Sequence, residues 1–288
     1  MKRNILWAFT FAVIFFSSCK KTDTGTGDAS AAQTITNVSY GTDGAQKMDV
    51  YLPANRSTAT TKVIVMIHGG GWTSGDKSDF AAFIDTIKRR FPDYAVFNIN
   101  YRLSTGTANL FPTQENDVKA AIQFIFDKGN EYKISNKYVL IGASAGAHLA
   151  MLQGYKYSTP VKAKAIVSFF GPSDMTEMYN NPVGGNPLLS LLVAQAMGAT
   201  PATNAALYTS SSPVTFISSA SMPTILIHGG IDPLVNASHS VAVKNKLTTA
   251  GVANQYVFYP TGGHGDWDAA TYANAFNNIQ AFLTANVQ

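Results

Sequence analysis

The chain has 288 residues, of which 46% are hydrophobic and 13% charged. That excludes a disordered chain and supplies enough apolar surface for one large domain with a continuous core, though not for two comfortable ones. The formal charge of +4 includes Lys2 and Arg3 at the extreme N-terminus, and no basic stripe interleaves with aromatics elsewhere, so nucleic acid is not an expected partner.

The N-terminal segment reads as separate from the domain. Met1-Lys2-Arg3 leads into an apolar run, 5–16, of signal length and well short of the roughly 20 residues that span a bilayer. Ser17-Ser18 then precede Cys19, the chain's single cysteine. The pattern resembles a bacterial lipoprotein signal, which implies removal of residues 1–18, lipidation of Cys19 and the membrane as a partner through that anchor. The competing reading is a plain signal peptide with a leftover cysteine. One thiol leaves no internal disulfide, so the core alone must hold the fold. The Thr-, Gly-, Ser-, Asp- and Ala-rich stretch to Gln33 reads as a flexible tether, giving residues 19–33 as tether and 34–288 as one folded domain. The expected location is the periplasmic or cell-surface side of an outer membrane.

From residue 35 onward strands and helices alternate. Residues 35–40 and 48–52 form a strand pair around Gly41-Thr42-Asp43-Gly44. Apolar runs at 63–67, 94–100, 138–141, 163–170, 224–227 and 255–259 are continuous rather than alternating, which marks strands covered on both faces of a parallel sheet. Helical spacing links Phe80, Phe83, Ile84 and Ile87, then Val118, Ile122, Ile125 and Phe126. It reappears after Ser144, through Val241, Val243 and Leu247, and through Tyr272, Phe276, Ile279 and Phe282. The pattern predicts an α/β class chain with a mostly parallel, doubly wound sheet of about eight strands. Residues 174–216 interrupt the rhythm and, being too long for a plain connection, are expected to form a small cap or pocket wall.

The chemistry gathers at strand ends. Gly142-Ala143-Ser144-Ala145-Gly146 follows one strand and opens a helix, the context in which a sharp turn exposes a nucleophilic serine. The alternative, an ordinary serine in a Gly-rich turn, lacks a reason for the flanking strand and helix. His68-Gly69-Gly70-Gly71-Trp72 follows another strand; its backbone N–H groups can face an oxyanion, with Gly70, Gly71 and Ala145 as the expected donors. A phosphate loop is the rival, but no Gly-Lys-Ser/Thr follows. A serine needs a base. Of the five histidines, His68 braces its loop, His148 packs on the nucleophile's helix, His228 ends a strand, and His239 starts a helix where exposure is expected. His264, in Gly262-Gly263-His264-Gly265 after the last strand, is the expected base. Asp232 is its expected carboxylate partner, with Asp174 as competitor; Asp266 and Asp268 lie too near His264 in sequence to hold it from the far side. Trp72 and Trp267 are candidates for the substrate pocket, with a purely core role as the alternative. No cofactor and no metal are expected.

Taken together, HGGGW at 68–72, SGDKS at 74–78, NYRLS at 100–104, GASAGAHLA at 142–150, GPSD at 171–174, HGGIDPLV at 228–235 and GGHG at 262–265 resemble the α/β-hydrolase superfamily of serine esterases. The likeness is to the branch similar to hormone-sensitive lipase and to bifunctional acetylxylan and feruloyl esterases. The resemblance implies hydrolysis of carboxylic esters with short or aromatic acyl groups, on small-molecule or carbohydrate substrates, without a cofactor. It leaves open an arylformamidase, a prolyl-peptidase-like amide hydrolase, or a lipoprotein that binds glycan without catalysis.

Overall fold

The computed structural model describes residues 30–288; the expected signal segment and Cys19 lie outside the described residues. Eight strands form one sheet: β1 (Gln33–Ser39), β2 (Lys47–Leu52), β3 (Lys62–Ile67), β4 (Tyr94–Ile99), β5 (Tyr138–Ala143), β6 (Ala165–Phe169), β7 (Thr224–Gly229) and β8 (Asn254–Tyr259). Their order is β1-β2-β4-β3-β5-β6-β7-β8. β1 pairs antiparallel with β2, and β2 antiparallel with β4; every other pairing is parallel.

Nine helices are described: α1 (Ala81–Arg90), α2 (Thr113–Asp127), α3 (Gly129–Tyr132), α4 (Ala145–Lys156), α5 (Met175–Asn180), α6 (Pro187–Met197), α7 (Ala205–Ser210), α8 (Ser238–Thr249) and α9 (Ala269–Asn286). The continuous apolar strands follow from cover on both faces. In β3, Val63, Val65 and Ile67 join one core with α2, α4 and α8, while Ile64 and Met66 join the other with α1 and α9. Among the described residues no helix is long and apolar enough to cross a membrane.

Residues just before 34 make contacts with the domain. The Ser30 carbonyl accepts from the Asn55 N–H at 2.8 Å, and the Arg56 guanidinium donates to the Ala31 carbonyl and the Gln33 side chain. The segment 174–216 folds as α5, α6 and α7 with two short 3-10 turns, and packs over the C-terminal ends of the parallel strands. Open parallel sheets present their ligand crevices at that end.

Candidate active site

Ser144 stands between β5 and α4 at φ +53°, ψ −121°, a conformation costly for a residue with a Cβ and held only because the surroundings determine it. Its N–H donates to the Phe169 carbonyl at 2.9 Å, tying the turn to β6. The turn can be this tight only with glycine on both sides. A Cβ on Gly142 would stand 2.2 Å from the Gly146 carbonyl oxygen, and one on Gly146 would stand 1.9 Å from that of Ile67. The G-x-S-x-G pattern is thus a packing requirement between β3, β5 and α4, and it leaves the hydroxyl above the N-terminus of a twelve-residue helix.

The glycine loop after β3 is fastened from below. Tyr101 donates its hydroxyl hydrogen between the His68 and Gly69 carbonyls, 3.0 Å from each, and its ring stacks on His68 at 4.3 Å. His68 Nδ1–H donates to the Gly69 carbonyl at 2.8 Å, the bracing role expected of it, and burial lowers its pKa. The Gly70 carbonyl accepts from the Ser74 N–H and hydroxyl, and Gly70 adopts φ +98° in doing so. Asn100 donates to Asp76 and accepts from the Lys77 N–H, so the SGDKS and NYRLS segments form one hydrogen-bonded network with this loop. Those bonds hold Asp76 at about 2 although burial alone would raise it. Among the described residues, the Gly70, Gly71 and Ala145 N–H groups donate to no backbone acceptor.

Trp72 does not line the substrate cleft. It is 1% exposed, and its indole N–H donates 3.1 Å to His148 Nδ1. His148 Nε2–H donates in turn to the Ser211 carbonyl at 2.7 Å. With one ring nitrogen accepting and the other donating, His148 is fixed as a neutral tautomer, and burial lowers its pKa to about 4. The chain Trp72–His148–Ser211 connects the glycine loop, the nucleophile's helix and the 174–216 segment. An indole beside a glycine loop reads from sequence as a pocket wall; its buried N–H needs an acceptor, and that need turns it inward.

Asp232 and His264 come together from two loops. His264 Nδ1 lies 2.6 Å from Asp232 Oδ2, with its N–H donating. Asp232 is 6% exposed and its other oxygen accepts the Leu234 and Val235 N–H groups at 2.8 and 2.9 Å. Burial would raise this carboxyl, but the close approach of the His228 N–H, the hydrogen bond from His264 and the backbone N–H groups hold it below the ordinary carboxylate range. His228, fully buried, donates Nε2–H to the Val235 carbonyl at 3.0 Å, keeps that nitrogen 3.4 Å from Asp232, and accepts at Nδ1 from Ser240. The loops are also joined through the backbone, by Ile231 N–H to the Gly262 carbonyl and Gly230 N–H to the Tyr259 carbonyl. Phe170 lies against the His264 ring at 4.3 Å, and Tyr272 donates to the Gly265 carbonyl.

Ser144 and His264 line one cleft of about 530 Å3 together with Gly69, Gly70 and Gly71. Among the described residues no hydrogen bond joins the Ser144 hydroxyl to His264, and such bonds commonly tighten only when substrate arrives. Leu192 of α6 and Leu234 complete the wall, so the 174–216 segment supplies part of it. Trp267 is absent from this cleft. Its N–H donates to the Gly263 carbonyl at 3.0 Å and its ring packs on Phe170, buttressing the His264 loop from behind. His239, expected to be exposed, is 3% exposed; its Nδ1 accepts from the Ser173 N–H, and burial lowers its pKa to about 4. Asp174 caps α5 and Asp268 caps α9, and neither contacts His264. From sequence, His228 reads only as a strand end and Phe170 only as the end of a strand run, and Tyr101, inside NYRLS, has no role of its own. No cluster of three His, Cys, Asp or Glu side chains among the described residues could hold a metal ion.

A parallel sheet with a strained serine after β5, a carboxylate after β7 and a histidine after β8 defines an α/β-hydrolase. The model of the BD-FAE family matches residues 48–247, and the chain belongs to that family. It is similar to the esterase LipQ of Mycobacterium tuberculosis, 27% identical over 255 residues that make up 84% of this chain and 59% of that protein. It is also similar to the kynurenine formamidase of Danio rerio, 30% identical over 149 residues, 48% of this chain and 47% of that one. Among solved structures, a truncated form of a carbohydrate esterase from gut microbiota superposes with a TM-score of 0.73 at 25% identity, covering 88% of this chain and 96% of that one. The chain spans about half to three fifths of the length of the curated relatives it matches.

Proposed function

We propose that the protein is a carboxylic ester hydrolase in which Ser144 attacks the acyl carbonyl, His264 takes the serine proton, and Asp232 holds the imidazole and stabilises its charged form. The observation that carries this reading is the Asp232–His264 hydrogen bond opening onto the same cleft as the strained Ser144. With Nδ1–H committed to Asp232, Nε2 is the nitrogen left to accept a proton. The tetrahedral oxyanion rests against the Gly70, Gly71 and Ala145 N–H groups, each worth about 3–4 kcal/mol in the serine-protease precedent. His264 then returns the proton to the leaving alcohol, and water repeats the cycle on the acyl-enzyme to release the acid.

The proposed substrates are short-chain or aromatic acyl esters, including acetyl or feruloyl groups on plant polysaccharides; the likeness to a carbohydrate esterase supports this class. In the same reading Cys19 carries a lipid that tethers the enzyme to a membrane, and a Cys19→Ser chain loses incorporation of labelled palmitate. A panel of p-nitrophenyl acetate, methyl ferulate, acetylated xylan and N-formylkynurenine tests the activity. Turnover of the esters, lost in Ser144→Ala, supports it; equal turnover in Ser144→Ala refutes it. A second reading, hydrolysis of an aryl formamide, rests on the likeness to kynurenine formamidase and wins if N-formylkynurenine is the best substrate of the panel.

A further inference from the structure

Helices α1 and α9 cover one face of the sheet and leave a groove of about 660 Å3 between them, within the roughly 300–1,000 Å3 typical of small-molecule sites. Phe83, Trp267, Tyr272 and Phe276 line it with aromatic rings, and Arg89 and Arg90 with guanidinium groups. Ala82, Ala269 and Ala273, all exposed, keep its sides free of bulk. Phe83 and Tyr272, partly exposed and 4.9 Å apart, also line the cleft that holds Ser144 and His264, so the two spaces flank one aromatic pair. The arginines stand at the far end, about 10 Å beyond Phe83 along α1 at 1.5 Å per residue. There Arg90 Nη1 donates to Asn277 and Gln280, which follow Phe276 in α9.

The charge in this groove is unmatched. No Asp or Glu lines it, and among the described residues neither arginine forms a salt bridge. Asp85, one turn before Arg89, pairs with Lys88 at 3.7 Å. Arg89 donates from Nε to the Asp85 carbonyl and from Nη2 to the Thr86 hydroxyl. Arg89 Nη1 and Arg90 Nε and Nη2 have no protein acceptor among the described residues. Basic side chains in a last turn commonly do no more than offset the helix dipole. Here the Arg90 guanidinium also lies 6.0 Å from the Phe276 ring centre, so cation, unused donors and aromatic rings share one groove.

Building on the carbohydrate-ester reading, we propose that this groove is a second binding site, which holds a uronate unit of an oligosaccharide and selects acidic glycans over neutral ones. The planar guanidinium fork matches the two oxygens of a carboxylate, and the C–H faces of sugar rings lie on the aromatic side chains. A neutral sugar uses only the aromatic half of the groove. The separation of about 10 Å between Phe83 and the arginines puts the acid on a sugar unit other than the one presenting its ester to Ser144. A charge-assisted contact of this kind corresponds to a preference of about tenfold or more.

Isothermal titration calorimetry on Ser144→Ala compares xylotetraose bearing one glucuronate with unsubstituted xylotetraose. The acidic sugar binds about tenfold more tightly at low salt, and the preference shrinks in 1 M salt. Arg89→Gln removes most of the preference, and Ala273→Glu, which sets a carboxylate in the groove, abolishes it. Both positions are exposed, and circular dichroism melts verify that both variants fold. On the acetylated forms of the two sugars, with Ser144 intact, the same changes lower the acidic-to-neutral ratio of kcat/KM about fivefold or more, because groove and cleft act on one molecule. Equal affinity for the two sugars, or a preference that survives both variants in binding or in the kinetic ratio, overturns the site. Binding to phosphatidylglycerol vesicles that both variants abolish, with neither sugar bound, overturns it in favour of a lipid contact. Calorimetry needs no turnover, so a protein that binds the acidic sugar through Arg89 but hydrolyses no ester loses the esterase reading and keeps the site.

Discussion

Lowering the pH from 7.5 to 5.0 is expected to weaken the fold by about 4 kcal/mol through two histidines that touch no substrate. His148 is completely enclosed, accepts the Trp72 indole N–H at one nitrogen and donates to the Ser211 carbonyl from the other. A proton added at Nδ1 would set two donors face to face. Burial lowers the pKa of His148 to about 4, and burial does the same for His239. An unfolded histidine titrates near 6.5, so below that pH the unfolded chain binds protons that the native state refuses. The stabilisation is whole above about 6.5 and disappears as the pH falls towards about 4. At pH 5.0 the loss is about 2 kcal/mol per residue, a large share of the roughly 5–15 kcal/mol that holds a domain together. His68 shifts in the same direction, while Asp76 and Asp232, held low, do not titrate in this window. Urea unfolding followed by tryptophan fluorescence at pH 7.5, 6.5, 5.5 and 5.0 measures the effect. Replacing the ring in His148→Gln costs about 1–3 kcal/mol at pH 7.5, from the disturbed hydrogen bonds, and halves the loss on acidification. A variant whose stability falls with pH as steeply as wild type refutes the assignment.

Other outcomes follow from single contacts. Asp232→Asn keeps an acceptor for the Leu234 and Val235 N–H groups but cannot hold His264 in the required tautomer; kcat on p-nitrophenyl acetate should fall about 10^3–10^4-fold, and a fall under tenfold would exclude Asp232 as the partner. Trp72→Phe leaves His148 Nδ1 without its donor and should cost about 1–3 kcal/mol in urea unfolding; no loss would mean the indole bond contributes nothing. Gly146→Ala places a methyl within 1.9 Å of a backbone oxygen and should cost about 3 kcal/mol or more, whereas Gly44→Ala, with nothing within 4 Å, should stay within about 0.5 kcal/mol; equal effects would contradict the close approach of α4 to β3.

All eight strands and five of the nine described helices, α1, α2, α4, α8 and α9, were legible, because cover on both faces writes itself as continuous apolar runs and helix faces as a 3.6 period. The order β1-β2-β4-β3-β5-β6-β7-β8 was not, since it depends on pairings between residues far apart in the chain. Ser144, Asp232 and His264 stood out because each occupies a turn after a strand, and turn chemistry is local. Sequence left Trp72 open between pocket and core and placed His239 at the surface, and both are settled by the same kind of contact. Their surroundings are supplied from a distance, by His148 for the indole and by Ser173 for the imidazole, and neither partner is visible from sequence position. His228 shows the converse. Its place in His228-Gly229-Gly230-Ile231-Asp232 was visible, but its approach to the carboxylate four residues later appears only once the turn is folded.

The central claim is that Ser144 is an activated nucleophile on the cleft it shares with His264. Treating the protein with a fluorophosphonate and mapping the adduct by tryptic mass spectrometry tests it directly. One phosphonyl group per chain, on the peptide containing Ser144 and lost in His264→Ala, is the expected result. An unlabelled protein, or an adduct on any other residue, would contradict it.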